Sequence, residues 1–262
     1  MATLGIDIGG SGIKGALVDT RRGVLTTERI RLKTPKPAKP DAVLDVIADI
    51  AGRAGGTSIG PVGLTFPGVV TRGVVGTAVH LHKSWVGVNV ADAVAERLGR
   101  ATTALNDADA AGVAEVAHGA AKSQPGVVIM LTFGTGVGSG LFVDGALVPN
   151  AELGHLPLDG VDAESQIADG VREAKKLSWK KWAKRTNDYL AMVEELFSPT
   201  LFVVGGGIVK HADEFMSLLR TRAALRLAAL GNEAGMVGAA LVAERAQRRQ
   251  RSRTVTAPAT DR

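Results

Sequence analysis

The sequence contains no cysteine, which excludes disulfides, thiolate nucleophiles and zinc sites built on cysteine. No apolar run reaches the roughly 18 residues that a membrane-spanning helix needs. The first residues, Met-Ala-Thr-Leu-Gly-Ile-Asp, show no basic region followed by an apolar core, so no secretory signal is predicted. Together these absences predict a cytoplasmic protein with no membrane partner.

The 262 residues are 45% apolar and have a positive mean hydropathy, which predicts a globular protein large enough for two packed lobes. The net charge is +5, but much of it lies in the last 22 residues, which carry six arginines against Glu244 and Asp261. We predict that residues 249–262 form a disordered basic tail. A solubilising role is the simpler interpretation of this tail, and a binding role stays open.

An internal duplication organises the chain. Residues 6–19 and residues 131–144 align without a gap, and identical residues occur at Gly9/Gly134, Gly15/Gly140, Val18/Val143 and Asp19/Asp144. Each segment reads as an apolar strand, a glycine-rich turn and a second apolar strand, which predicts a β-hairpin. Elsewhere strand patterns alternate with helical patterns, which favours a layered α/β architecture built from two related halves.

The two glycine-rich turns are typical of phosphate binding. Such turns let several backbone N–H groups converge on an anion, and phosphoryl transfer depends mainly on positioning and charge stabilisation. Asp7 stands just before the first turn, where it could bind Mg²⁺ directly or through water, and Lys14 could reach a donor phosphate. A single turn of this kind is commonly no more than a turn, and Lys14 alone could be a solvated lysine, but the repeat in register is more specific.

A second group of polar residues suits an acceptor with several hydroxyls. Asn106 and Asp107 end a predicted strand just before a helix, and Asp107 could accept the proton of an attacking hydroxyl. Glu152, His155 and Glu164 follow the second turn and could bind other hydroxyls. Asn106-Asp107 could equally be a helix cap, and a lone Glu or His in a loop is commonly a surface residue.

These motifs, in this order, resemble the ROK sugar kinases. The resemblance covers about residues 3–245 and rests on the segments 7–15, 106–107, 131–140, 152–155 and 203–208. It implies an actin-like, hexokinase-type (ribonuclease H-like) α/β fold with a cleft between two lobes. The implied lobes are residues 1–107 and 108–234, with a last helix over 235–248 that packs back on the first lobe.

Three features resemble the family members that use inorganic polyphosphate: the short chain, the segments 65–68 and 83–87, and a basic stretch around Trp179 and Trp182. The resemblance implies a phosphotransferase that moves a phosphoryl group from polyphosphate, or from ATP, to the 6-hydroxyl of glucose. It implies Mg²⁺ as cofactor, a homodimer, and no nucleic-acid partner. The alternative is an ATP-dependent glucokinase or a glucomannokinase of the same family.

The resemblance also implies roles for individual residues. Asp107 is the expected catalytic base. The expected glucose contacts are Pro67, Gly68, Asn106, Glu152, His155 and Glu164. The expected contacts to the phosphate donor are Asp7, Gly9, Gly10, Ser11, Gly12, Lys14, Thr132, Gly134, Thr135, Gly136, Gly205 and Gly206. Many family members carry a cysteine-rich zinc loop after the Glu-x-x-His motif; residues 156–164 contain no cysteine here, so no zinc site is expected.

A polyphosphate donor needs a cationic surface, because the chain is a polyanion without a base. Residues 172–185 supply seven cations opposed only by Glu173. If the segment is helical, Lys176, Lys180 and Lys184 share one face and could form a polyphosphate track. A solvated helix face is the alternative.

The residues disfavour two other classes of function. A ROK-type repressor needs a DNA-binding domain ahead of Asp7, and the six preceding residues cannot form one. A sugar-binding protein without catalysis is disfavoured by the presence of Asp107 together with both glycine-rich turns.

Overall fold

The computed structural model describes residues 2–255, with side chains described up to residue 252. The chain divides into two compact units. Unit 1 comprises the residues up to Ala110 together with those from Gly235 onward, and unit 2 comprises Ala111–Ala234. The sequence predicts a boundary after residue 107; in the structure it lies after Ala110, inside a helix.

Strands and helices alternate along the chain. The strands are β1 (Ala2–Ile8), β2 (Gly12–Asp19), β3 (Val24–Leu25), β4 (Ile30–Lys33), β5 (Ile59–Phe66), β6 (Val70–Thr71), β7 (Val74–Val75), β8 (Thr102–Asn106), β9 (Val127–Phe133), β10 (Val137–Val143), β11 (Ala146–Val148), β12 (Pro157–Leu158), β13 (Val161–Asp162), β14 (Leu201–Gly205) and β15 (Ala224–Leu227). The helices are α1 (Pro40–Ala54), α2 (Val90–Leu98), α3 (Asp107–His118), α4 (Glu164–Ile167), α5 (Asp169–Ala174), α6 (Trp179–Phe197), α7 (Ala212–Phe215) and α8 (Ala234–Val255).

The main sheet of unit 1 has the order β3-β2-β1-β5-β8, and β4 also pairs with β2. β1 and β2 are antiparallel, whereas β5 runs parallel to β1 and β8 parallel to β5. The carboxyl ends of β1, β5 and β8 therefore lie at one edge of this sheet. Ligands of α/β proteins commonly bind at such an edge.

Helices cover both faces of the unit 1 sheet. Val43, Ile47 and Ile50 of α1 are fully buried in the same apolar cluster as the isoleucines of β1. On the other face α8 lies against glycines: a Cβ built on Gly5 would come within 2.2 Å of the Met236 carbonyl oxygen, and one on Gly63 within 1.9 Å of the Ala239 carbonyl oxygen. Only glycine admits such close contact between a helix and a strand.

Unit 2 repeats the arrangement. Its sheet has the order β11-β10-β9-β14-β15, with β9 and β10 antiparallel and β14 parallel to β9. Trp182, Tyr189 and Val193 of α6 are buried against it. Both predicted hairpins are therefore confirmed, and each has a parallel strand beside its first strand.

The C-terminal prediction is wrong over residues 249–255, because α8 continues to Val255 rather than ending at 248. Arginine and glutamine are good helix formers, and the side chains of Glu244 and Arg248 pair one turn apart at 2.5 Å. The rest of the predicted tail, residues 256–262, lies outside the described residues. Across the described part of the chain, the helices that are long enough to cross a bilayer are too polar to do so.

Candidate active site

The first glycine-rich turn joins β1 to β2. The Gly9 N–H donates to the Gly12 carbonyl oxygen at 3.0 Å, which closes the turn. The Thr34 hydroxyl, just after β4, donates to the Gly9 carbonyl oxygen at 2.5 Å. Gly10 and Ser11 lie exposed at the tip. Hydrogen bonds thus fix the base of the turn, and its tip is exposed.

Asp7 lies beside this turn and is held from two sides. Its Oδ1 accepts a hydrogen bond from the Thr65 hydroxyl at 2.9 Å, and its Oδ2 lies 2.9 Å from the Lys14 Nζ. Gly235, in the first turn of α8, packs beside the carboxylate: a Cβ there would be in ordinary van der Waals contact with the Asp7 Cγ, at 3.5 Å. Thr65 is not evident as a site residue from the sequence, because only the strand register places it opposite Asp7.

Asn106 and Asp107 lie at the start of α3. The Asn106 Oδ1 accepts from the backbone N–H groups of Ala108 and Asp109, at 2.8 and 3.1 Å, and its Nδ2 donates to the Gly68 carbonyl oxygen at 3.2 Å. The helix-cap interpretation of Asn106 is therefore confirmed, and the cap ties the Pro67-Gly68 turn to α3. Asp107 is exposed, and its Oδ1 accepts from the Ala108 N–H at 2.9 Å. The N-terminus of α3 favours the ionised carboxylate of Asp107.

The second glycine-rich turn, in unit 2, is closed in a similar way. The Gly134 N–H donates to the Gly136 carbonyl oxygen at 2.9 Å, and Gly170 donates to the Gly134 carbonyl oxygen at 2.9 Å. The Glu164 Oε2 accepts from the Val137 N–H at 2.8 Å, so this carboxylate lies directly on the turn. A Cβ on Gly136 would come within 2.4 Å of the same oxygen. Thr135 is exposed at the tip.

The end of β14 lies beside the same turn. Gly205 is in register with Thr132 of β9. Gly206 has φ +85°, and a Cβ there would come within 2.5 Å of the Phe133 carbonyl oxygen. The predicted donor residues of unit 2 therefore lie at one edge of its sheet, as those of unit 1 lie at one edge of theirs.

The segment from Ala151 to His155 is fixed on β10. The Ser139 hydroxyl accepts from the Leu153 N–H at 2.8 Å and donates to the Ala151 carbonyl oxygen. The buried Tyr189 hydroxyl donates to the Leu153 carbonyl oxygen at 3.2 Å. These contacts place Glu152 and His155 near Glu164, whose charge acts on both of them.

Asp162, which is not among the residues predicted from the sequence, connects His155 with Glu164. The Asp162 Oδ2 lies 2.7 Å from the His155 Nδ1, and the Asp162 Oδ1 accepts from the Glu164 N–H at 3.1 Å. A two-residue turn brings Asp162 back towards His155, since Asp159 and Gly160 between β12 and β13 both have positive φ. Asp-Gly is a recognisable hairpin signal, so the sequence did contain this information.

Charge and burial shift two pKa values in this group. The hydrogen bond that the His155 Nδ1–H donates to the Asp162 carboxylate raises the pKa of His155 above its ordinary value; burial opposes this effect, and the charges of Asp162, Glu164 and Glu152 add to it. Burial raises the pKa of Glu152; the charge of Glu164 adds to this effect and His155 opposes it. The group thus presents an imidazole beside carboxylates, a donor and acceptor set suited to hydroxyls.

The predicted basic helix face is wrong in one respect. Lys176 has φ +49° and lies between α5 and α6, so it does not share a helix with Lys180 and Lys184. Lys180 and Lys184 are exposed one turn apart on α6. Arg172 is not available as a surface charge, because its Nε lies 2.7 Å from the Asp169 Oδ1 and its guanidinium lies 3.9 Å from the centre of the Trp179 ring.

Comparison with known proteins adds to this geometry. A model of the ROK family matches residues 3–170. A polyphosphate glucokinase from Mycobacterium tuberculosis (strain CDC 1551 / Oshkosh) is 49% identical over 238 residues, which cover 90% of this chain and 89% of the relative. A glucokinase from Streptomyces coelicolor is 28% identical and covers 91% of this chain and 96% of the relative.

Solved structures give the same picture. An inorganic polyphosphate/ATP-glucomannokinase from Arthrobacter sp. strain KM matches with a TM-score of 0.87 at 46% identity, covering 94% of this chain and 99% of that chain. A ROK family glucokinase from Streptomyces griseus, in complex with glucose and AMPPNP, matches with a TM-score of 0.78 at 25% identity, covering 94% of this chain and 100% of that chain.

Proposed function

The chain belongs to the ROK family and has its mixed α/β, hexokinase-type fold, and from this premise we propose that it is a polyphosphate-dependent glucokinase. It transfers the terminal phosphoryl group of inorganic polyphosphate to the 6-hydroxyl of glucose and gives glucose 6-phosphate. The observation that carries the proposal is the 49% identity to a polyphosphate glucokinase over 90% of the chain.

Asp107 is the proposed catalytic base. Its carboxylate is exposed at the first turn of α3, where the backbone around it is fixed by the Asn106 cap. It accepts the proton of the 6-hydroxyl as the oxygen attacks phosphorus. Because the transition state is largely dissociative, aiming the hydroxyl oxygen matters as much as removing its proton.

Each unit contains proposed contacts to glucose hydroxyls. In unit 1 these are the Pro67-Gly68 turn and Asn106, whose amide already joins that turn to α3. In unit 2 they are Glu152, His155 and Glu164, which share one electrostatic environment. Carboxylates and an imidazole that are fixed by the protein can distinguish sugars that differ in the position of a hydroxyl. A sugar that lacks the matching hydroxyl leaves the corresponding protein group without a hydrogen-bond partner.

The donor phosphates are proposed to bind the two glycine-rich turns. The contacts are those predicted from the sequence: Gly9, Gly10, Ser11, Gly12 and Lys14 in unit 1, and Thr132, Gly134, Thr135, Gly136, Gly205 and Gly206 in unit 2. The exposed tips of both turns suit the approach of an anion to the backbone. Lys180 and Lys184 are a further proposed contact for a long donor chain.

Mg²⁺ is the proposed cofactor, and Asp7 is the residue that would hold it. Both Asp7 oxygens already contact protein groups, and no group of three metal-binding side chains occurs among the described residues. A single carboxylate such as that of Asp7 suits Mg²⁺, because this ion keeps several waters and binds through one carboxylate and the substrate phosphates. When bound, the ion neutralises charge on the phosphates; Lys14 and Thr65 orient the Asp7 carboxylate.

A coupled assay for glucose 6-phosphate, with polyphosphate and ATP supplied separately, tests the proposal. Turnover with polyphosphate is the expected result, and turnover with ATP alone would replace the proposal by the ATP-dependent alternative. A mannose arm is included, because the Arthrobacter relative is named as a glucomannokinase that uses polyphosphate or ATP. The family resemblance also leads us to propose a cytoplasmic location and a homodimer. Analytical ultracentrifugation measures the oligomeric state.

A further inference from the structure

A cationic segment lies next to the first glycine-rich turn. Residues 29–40 contain five cations and no carboxylate: Arg29, Arg31, Lys33, Lys36 and Lys39. Arg31 and Lys33, here called the β4 cations, are exposed on the strand that pairs with β2. None of the proposed donor contacts includes them.

The register of the sheet shows which way the β4 cations face. Arg31 is opposite Lys14, and Lys14 is in turn opposite Asp7, while Lys33 is opposite Gly12. Side chains directly opposite each other on paired strands lie on the same face of a sheet. The β4 cations therefore share a face with Asp7 and Lys14. Ile30 and Leu32, the alternate residues of β4, pack on the apolar core instead.

Contacts with the turn are direct. A Cβ built on Gly12 would come within 3.0 Å of the Nε and Nη2 of Arg31, so the guanidinium lies against the turn backbone. Downstream, the Ala38 carbonyl oxygen accepts from the Trp85 Nε1 at 3.0 Å and from the His82 N–H at 3.3 Å. The segment is thus fixed to unit 1 at both ends of its cationic part.

The β4 cations have charge available for a ligand. Lys14 is paired with Asp7, whereas neither Arg31 nor Lys33 forms an ion pair within the part of the chain that the structure describes. Side chains two residues apart on a strand are separated by roughly 7 Å along it. A row of cations at that spacing, continuing from Lys14, fits an extended polyanion better than a compact triphosphate that ends in a nucleoside.

We propose that Arg31 and Lys33 bind the phosphates of the polyphosphate chain that lie beyond the group being transferred. The inference rests on the proposed function and adds the surface that selects a long donor. Arg31 supplies a planar fork of N–H donors suited to phosphate oxygens, and Lys33 supplies a point charge further along the same face.

The test compares two double variants with the same change in charge. Arg31→Gln/Lys33→Gln removes the β4 cations, and Arg21→Gln/Arg22→Gln removes two exposed arginines beyond the opposite end of β2. We expect the KM for long-chain polyphosphate to rise roughly tenfold or more in the first variant, with a much smaller rise for ATP. The second variant should keep the wild-type KM for both donors. The salt dependence of the polyphosphate KM should also weaken in the first variant only.

The outcomes separate this inference from the proposed function. If the wild-type protein does not use polyphosphate, the proposed function fails first. If it does, an unchanged polyphosphate KM in Arg31→Gln/Lys33→Gln overturns the inference, as does an equal rise for polyphosphate and ATP. A rise in Lys180→Gln/Lys184→Gln alone would assign the chain to α6 instead.

A second variant protects the test against misfolding. Arg31→Lys/Lys33→Arg keeps both charges and should restore the polyphosphate KM to within about threefold of wild type. Calorimetry can measure the binding of long-chain polyphosphate in the absence of glucose. The affinity should fall in Arg31→Gln/Lys33→Gln and recover in Arg31→Lys/Lys33→Arg. Equal binding by both pairs would contradict the inference.

Discussion

The Asp162 Oδ2 lies 2.7 Å from the His155 Nδ1, while the other oxygen of the same carboxylate accepts the Glu164 N–H. One side chain thus fixes two of the proposed glucose contacts and decides which ring nitrogen of His155 faces outward. We expect His155 to direct its Nε2 to a sugar hydroxyl, because the Nδ1 is already engaged.

Removing the Asp162 charge should lower the pKa of His155. In Asp162→Asn the hydrogen-bond acceptor remains but the charge is lost, so the pKa should fall towards its ordinary value of 6.5. NMR titration measures this directly, since the chain has only five histidines to assign. Because a raised pKa in the folded state stabilises the protein below the unfolded value, any stability from this pair is present at acid pH. It is lost as the pH rises through the folded-state pKa.

Asp159→Asn is the matched control for this titration. Asp159 is exposed in the same hairpin with φ +51°, a conformation that asparagine adopts readily. The pKa of His155 should not move in this variant. A wild-type-like pKa in Asp162→Asn would show that Asp162 does not control the imidazole.

Replacement of Asp107 should strongly reduce turnover while leaving glucose bound. Asp107→Asn keeps the size of the side chain and removes the base, so kcat should fall by about 10²–10⁴-fold with either donor. Glucose binding, followed by tryptophan fluorescence, should stay within a few-fold of wild type. A kcat near that of wild type would exclude the proposed role of Asp107.

Loss of the Asn106 cap should destabilise unit 1. Asn106→Ala removes the acceptor for two backbone N–H groups of α3 and the donor to the Gly68 carbonyl oxygen. We expect the free energy of unfolding to fall by about 1–2 kcal/mol in a urea titration. Asn106→Asp keeps the cap and loses the donor, so it should be less destabilised; equal losses would mean that the cap contributes little.

Two glycines should respond to the same substitution with opposite signs. Gly63→Ala places a methyl group against the Ala239 carbonyl oxygen and should destabilise the protein by about 3 kcal/mol or more. Gly52, in α1, has open space where a Cβ would lie, so Gly52→Ala should stabilise by about 0.5–1 kcal/mol. Thermal unfolding of the two variants side by side measures both effects. A neutral Gly63→Ala would show that α8 can move away from the sheet.

Features that depend on a short contiguous segment could be predicted from the sequence. Both glycine-rich hairpins could be predicted, because their strands and turns are contiguous in the chain. Thr65 and Arg31 could not, since only the pairing of distant strands places them beside Asp7 and Gly12. Spacing alone predicts a helical Lys176, but periodicity does not reveal a residue with positive φ that interrupts the helix.

The packing of α8 on Gly5 and Gly63 has a consequence for synthesis of the protein on the ribosome. The first sheet leaves the exit tunnel with its glycine-lined face uncovered, and the helix that covers this face is translated only after all of unit 2. Unit 2 is complete in the nascent chain before unit 1. We therefore expect the N-terminal half to depend on chaperones until α8 has left the tunnel, and truncations that remove α8 to aggregate.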